Sequence, residues 1–225
     1  MSFASLRGGR NDNLSLVTSA DSTRPPFDAK GNLIAHHGAL DTHSAVDFAG
    51  RHNRLVAEGS VALDRISATF LGDDAQLVIG AVGPGEHLSL DVTLGANASV
   101  TIGAGVTSEK TLVIVAEAGA TVRIGAGSHF GPHVDIMASD ALGLGTSDGP
   151  DRHDVSIGEH VWVMRGAELR AGTDIGDGAV LEMTPLVDHE LPAGQLVRGL
   201  PATPVRPVTW DRSSLPGAQT RLARS

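Results

Sequence analysis

The chain of 225 residues has no cysteine and no tyrosine, and aromatic residues make up only 3% of it. The first absence excludes disulfides, thiolate metal sites and cysteine nucleophiles. The scarcity of rings argues against a fold built on large aromatic anchors. No run of lysine or arginine is long enough to track a phosphate backbone, and the formal net charge is −9, so nucleic acid is not expected as a partner. No uninterrupted apolar stretch is long enough to cross a bilayer, and the opening MSFASLRGGRNDN lacks the apolar segment of a secretory signal. A soluble cytoplasmic protein, not inserted in a membrane, is the expectation. Helical periodicity is nearly absent as well.

What is present is strand and turn. With 41% hydrophobic and 19% charged residues the composition is that of a folded chain. Short runs such as AQLVIG, LSLDVTLG, TLVIVA and TVRIG are rich in branched aliphatics and are bounded by some of the 28 glycines. The dipeptide Ile-Gly recurs at Ile79, Ile102, Ile124, Ile157 and Ile175, with spacings of 23, 22, 33 and 18. Steps of six from Ile157 meet Val163, Leu169, Ile175, Leu181 and Val187, an unbroken aliphatic row. Three such hexads make one triangular coil, which accounts for the last Ile-Gly spacing, and stacked coils make a parallel β-helix. Four residues after each step come Val161, Ala167, Thr173, Ala179, Pro185 and Leu191, mostly small, as a tight corner requires. Steps back from Ile136 meet Phe130, Ile124, Ala118, Leu112 and Val106, so the inward row is expected to continue upstream with drift.

Set against a three-hexad coil, the spacing of 33 implies an insertion of about 15 residues, which places an exposed loop at 141–154 (ALGLGTSDGPDRHD). The expected organisation is an N-terminal cap or arm over 1–46, a β-helix over 47–200 and a tail over 201–225. Prolines at 201, 204, 207 and 216 are expected to break the ladder, with Trp210 covering the last coil.

The segment HDVSIGEHVWVMRGAELRAGTDIGDGAVLEMTPLVDHELPAGQLVRGLPATPV resembles the hexapeptide-repeat acyltransferases in its Val-Trp pair, its Ile-Gly hexads and its terminal Gly-x-Pro-Ala. Upstream, FAGRHNRLVAEGSVALDRISATFLGDDAQLVIG and SHFGPHVDIMASD resemble the members that acetylate sugar hydroxyls of surface polysaccharides. The resemblance implies a left-handed parallel β-helix, a homotrimer, and acetyl-CoA in a groove between neighbouring helices. It also implies a loop histidine that takes the proton of the acceptor hydroxyl.

Three spots depart from that pattern. The loop motif Ser-Asp-x-His reads Ser139, Asp140, Ala141 and Leu142, and Leu142 also falls six residues after Ile136, where it extends the inward row. A glycine is replaced by Met164, and a Gly-Ala-Gly-Ser turn by Glu182, Met183, Thr184 and Pro185. An asparagine is replaced by Leu200. Loss of a positioned base costs about 10²–10⁴ in rate. The catalytic candidates are therefore His133 or His153 as base with Asp140 as orienting group. The candidates for meeting the donor are Trp162, Met164, Met183 and Thr184, with Arg198 and Arg206 for its phosphates. His160 reads as structural or as a support to the site. Two other readings stay open: a non-catalytic β-helix scaffold or binding subunit, and a zinc-dependent trimer resembling carbonic anhydrases through His129, His133 and His153. No metal is assigned in the leading reading.

Overall fold

The computed structural model describes residues 17–18, 27–36, 44–58, 63–139, 154–183, 185–212 and 215. These residues contain no α-helix. They form a three-sided parallel β-helix whose sides are sheets of nine, seven and six strands. Within each sheet the successive coils pair strand on strand in parallel, residue over residue except for a shift between Leu63 and Arg65, and only the last strand added is antiparallel. On the first face, Ile102, Ile124, Ile157, Ile175 and Leu191 stack in one column, and Val100, Val122 and Val155 in the next. Both columns point into a single core with side chains at most 3% exposed. Strands this short have no stability alone; stacking the coils is what removes their aliphatic faces from water.

The six-residue row is inward throughout the later coils. Ile157, Val163, Leu169, Ile175, Leu181 and Val187 are all essentially inaccessible. Upstream the row fails at Ala118, which is exposed. The reason is the width of the second face. Leu63–Phe70 and Leu88–Leu94 are strands of 8 and 7 residues, and the second points Leu88, Leu90, Val92 and Leu94 inward with a period of two. Glu168–Arg170 is 3 residues long and points only Leu169 inward. A hexad row exists only where each side donates one residue to the core.

In the upstream coils, residues that meet across adjacent turns are typically 22 apart in sequence, as Ser44 and Ile66 or Asn53 and Ala75 are. The excess in the long coil is therefore smaller than a comparison with three hexads suggests. Ala116 and Thr121 are separated by residues 117–120, whereas the equivalent Ala138 and Asp154 are separated by residues 139–153. Of this longer connection, residues 140–153, where the loop is expected, lie outside the described residues; its described ends belong to the second and first faces. Asp154 closes it: its carboxylate accepts the Thr121 N–H at 2.7 Å, and its carbonyl accepts the Gly172 N–H at 2.9 Å.

Regular pairing starts before residue 47. Leu33–His36 lies parallel to Arg54–Ala57, and Ile34 is in the core, so this part of the expected cap is already coil. The corner there carries stacked amides. Asn32 Oδ1 accepts the Asn53 N–H, and Asn53 Oδ1 accepts the Ala75 N–H, both at 2.9 Å.

At the other end the prolines do not end the ladder. Thr203–Pro207 adds an antiparallel strand to Gln195–Arg198 with a register shift between Leu196 and Val197. Proline is tolerated there because the strand is at the sheet's edge. The chain then climbs the outside of the third face instead of capping the last coil. Val208 N–H bonds Gly194 O, Trp210 lies on His160, and Arg212 reaches Glu86 and the Gly105 carbonyl.

Candidate functional site

The third face positions most of the chemistry. Among the described residues its strands are Thr107–Ser108, His129–Phe130, Trp162–Val163, Val180–Leu181, Gln195–Arg198 and the antiparallel Thr203–Pro207. Phe130, Val163, Leu181 and Val197 point into the core. Alternation then sends Thr107, His129, Trp162, Val180 and Leu196 outward in one column. The column is polar at its Thr107 end and apolar at its Leu196 end.

Its apolar end is covered by the climbing tail. Val180, Leu196 and Trp210 form a cluster outside the β-helix, with Trp162, Met164, Val208 and Leu215 packed against it. Trp210 stacks on the His160 ring at 4.1 Å with 6° between planes. His160 Nε2 lies 2.8 Å from the Trp210 carbonyl, and the Trp210 indole N–H donates to the His160 carbonyl at 2.9 Å. His160 sits in a corner turn with φ 53°, aligned with the left-handed glycines Gly127 and Gly178 of the neighbouring coils. Of the two roles its sequence context allowed, structural or a support to the site, these contacts are structural: they hold the tail at Trp210.

The polar end holds a row that sequence reasoning did not assemble. Thr107 Oγ1 lies 2.9 Å from His129 Nδ1, and His129 Nε2 lies 3.6 Å from Glu109 Oε1. Thr107 and His129 are 6% and 7% exposed although they face outward. Beside them, Ser108 Oγ accepts the Ser89 N–H, and Ser89 Oγ is 3.1 Å from Thr111 Oγ1. The available signal was the Ile-Gly spacing of the coil before Ile124: applied to His129, it lands on Thr107.

The other candidates are dispersed. His133 is exposed in the corner after His129–Phe130, with φ 59°, and the carbonyl before it accepts the Gly166 N–H. Asp140, Leu142, His153 and Thr184 lie outside the described residues. Trp162 is half-buried, with its ring 5.5 Å from that of Trp210. Met164 is half-buried in the same cluster, whereas Met183 is 61% exposed. Arg198 is paired with Glu182 at 2.9 Å. Arg206 is exposed on the adjacent antiparallel strand, its guanidinium 3.4 Å from the Pro207 carbonyl. For the zinc reading, no group of three potential ligands is arranged to hold a metal among the described residues.

No protein-family model and no curated protein matches the chain. The solved structures to which the chain is similar include two acetyltransferases. The polySia specific acetyltransferase NeuO superposes with a TM-score of 0.68 at 22% identity, covering 87% of this chain and 95% of its own. The polysialic acid O-acetyltransferase OatWY gives a TM-score of 0.49 at 18% identity, over 86% of this chain and 95% of its own. The parallel β-helix expected from the hexads, with the left-handedness that the resemblance implied, is thereby shown as the fold of the chain.

Proposed function

We propose that the chain is an O-acyltransferase that moves an acetyl group from acetyl-CoA to a hydroxyl of a sugar or polysaccharide, working as a cytoplasmic homotrimer. The observation that carries the reading is the likeness of fold, over 87% of the chain, to an acetyltransferase specific for polysialic acid. The hexad segment ending in Gly-x-Pro-Ala supports it independently. Trp162 and Met164 would border the donor groove, with Met183 and Thr184 further along it. Exposed Arg206 fits a CoA phosphate better than Arg198, whose charge is already met by Glu182. His133 or His153 would take the proton of the acceptor hydroxyl, with Asp140 orienting the acceptor or the imidazole.

Calorimetry with CoA and acetyl transfer to polysialic acid and other glycans test the reading, with chain number measured by light scattering. Binding and transfer by a trimer are expected. A folded trimer that binds no CoA would overturn it.

A second reading, a non-catalytic β-helix that serves as scaffold or glycan-binding subunit, is favoured by one observation: the tail packs onto Trp162 and Met164, where a donor groove would need open surface. Acetyl transfer that disappears in His133→Ala or His153→Ala would eliminate it.

A further inference from the structure

Beyond Pro207 the described chain leaves the strand ladder and crosses the outside of the third face as far as the coil of Gly105. Two side chains anchor it there. Trp210 lies flat on the His160 ring and forms two hydrogen bonds with that residue. Arg212 meets the Gly105 carbonyl and Glu86, the latter in a partly exposed ion pair, a kind of contact that holds weakly. His160 has φ 53° at a corner where Gly127 and Gly178 take the left-handed turn in the adjacent coils. A side chain is costlier than glycine in that conformation, and what this one gains is the tail.

The surface under the tail is apolar and ordered. Trp162, Val180 and Leu196 are direct partners on successive coils, about 4.8 Å apart, and Met164 packs beside them. Val180 and Leu196 point away from the core, yet they are 2% and 6% exposed, because they are packed in one cluster with Trp210 and Val208. Lifting the tail would open an apolar track several coils long, able to take the extended thioester arm of CoA. Trp162 and Met164 are also the residues proposed above to border the donor groove. Tail and donor therefore need the same surface.

We infer that residues 208–212 are a displaceable strap over the donor groove, so that acetyl-CoA and the tail compete for Trp162, Met164, Val180 and Leu196. The form with the strap seated is then the donor-free, inactive form. The inference rests on the acyl-transfer reading, and within it explains the enclosure that otherwise favours a non-catalytic β-helix. A seated strap lowers the apparent affinity for donor by the fraction of molecules in which the groove is open. The coupling is reciprocal: a donor that binds only the open form must release the tail by the same factor.

The test is calorimetry with CoA on the full chain and on Trp210→Ala and Arg212→Ala, with the fold of each checked by circular dichroism. Both variants should bind CoA more tightly than the intact chain, by at least about tenfold if the strap is seated nine-tenths of the time. Arg212→Ala changes only a surface contact, so it carries the test if Trp210→Ala does not fold. In the intact chain, CoA should also speed tryptic cleavage after Arg212, since the arginine must leave Glu86 to be cut. Equal affinity in folded variants and intact chain would overturn the inference and leave the proposed function standing. Weaker binding by the variants, with CoA protecting Arg212 from trypsin, would do the same by making the tail part of the donor site. No CoA binding by any folded form, strap seated or freed, would overturn the inference and the acetyl-CoA reading together.

Discussion

The coils before Ile124 and those after Ile157 share one axis and one core, yet they are built differently. In the earlier ones, stacked partners such as Thr107 and His129 are 22 apart in sequence, and a broad second face carries several inward side chains, as in Leu88–Leu94. In the later ones the separation falls to 18 between Glu159 and Asp177 and to 16 between Glu182 and Arg198. Their first two faces are short strands such as Glu168–Arg170 and Asp174–Ile175, with one inward side chain each. A broad sheet buries more and tolerates loss of pattern at its corners. A narrow triangle has no spare inward position, so its hexad row is strict. The change of width falls at the coil that carries Phe130, Ile136 and the insertion. The Thr107, His129 and Glu109 row sits on the outside of that same junction.

If broad and narrow coils are one cooperative unit, damage at the junction should lower both together. Phe130→Ala removes a fully buried ring there and should cost about 3–5 kcal/mol in chemical denaturation, with a single transition. Two separated transitions would instead divide the molecule at the junction. Leu169→Ala, in a strand with one inward residue, should cost about 2–5 kcal/mol. It should exceed the cost of Leu90→Ala, because three inward neighbours on the strand Leu88–Leu94 can relax into the space. The reverse order would break the comparison.

Coil stacking is tested by Gly125→Ala. A Cβ on Gly125 would lie 2.4 Å from the Gly158 backbone, so the first narrow coil would have to move. A cost of about 1–3 kcal/mol is expected, read as a lowered denaturation midpoint. Arg212→Ala releases the tail from Glu86 and the Gly105 carbonyl, an ion pair at the surface. Its effect should stay at or below about 1 kcal/mol, with faster proteolysis of the tail as the sharper readout.

The smallest effect belongs to Asp28, at the start of the broad coils. Burial pushes its carboxyl upward, but hydrogen bonds from the backbone and side chain of Asn32 and from the Lys30 N–H, with the Lys30 charge, outweigh it and hold the value below the usual range. A folded value below the unfolded one means that the contribution is present above about pH 4. It is lost as pH falls through the folded value. Asp28→Asn should therefore flatten the acid end of the stability profile and leave neutral pH nearly unchanged. An unchanged acid limb would remove Asp28 from the account of this region.

The later coils were legible because a six-residue repeat of aliphatics is a local property of the chain. Ile157 through Val187 could be read one by one, and every one is buried. Ala118 could not, since the width of a coil depends on how many residues each side donates, and that is set by the neighbouring coils. The tail was misread for a similar reason: prolines forbid a central strand, but they do not forbid an antiparallel edge strand. Of the candidate site, Trp162, Met164 and His160 were marked by the motif, yet their enclosure by Trp210 depends on a contact from a segment far along the chain, with His160 and Trp210 separated by 50 in sequence.

The sequence by itself determined the solenoid and the direction of its inward row in the later coils, because periodicity and turn residues act over a few positions. Only the tertiary structure decided the width of the early coils, the path of the tail over the third face, and the meeting of Thr107, His129 and Glu109. Those depend on which residues one coil sets above another, a register fixed by stacking and invisible to any window shorter than the coil.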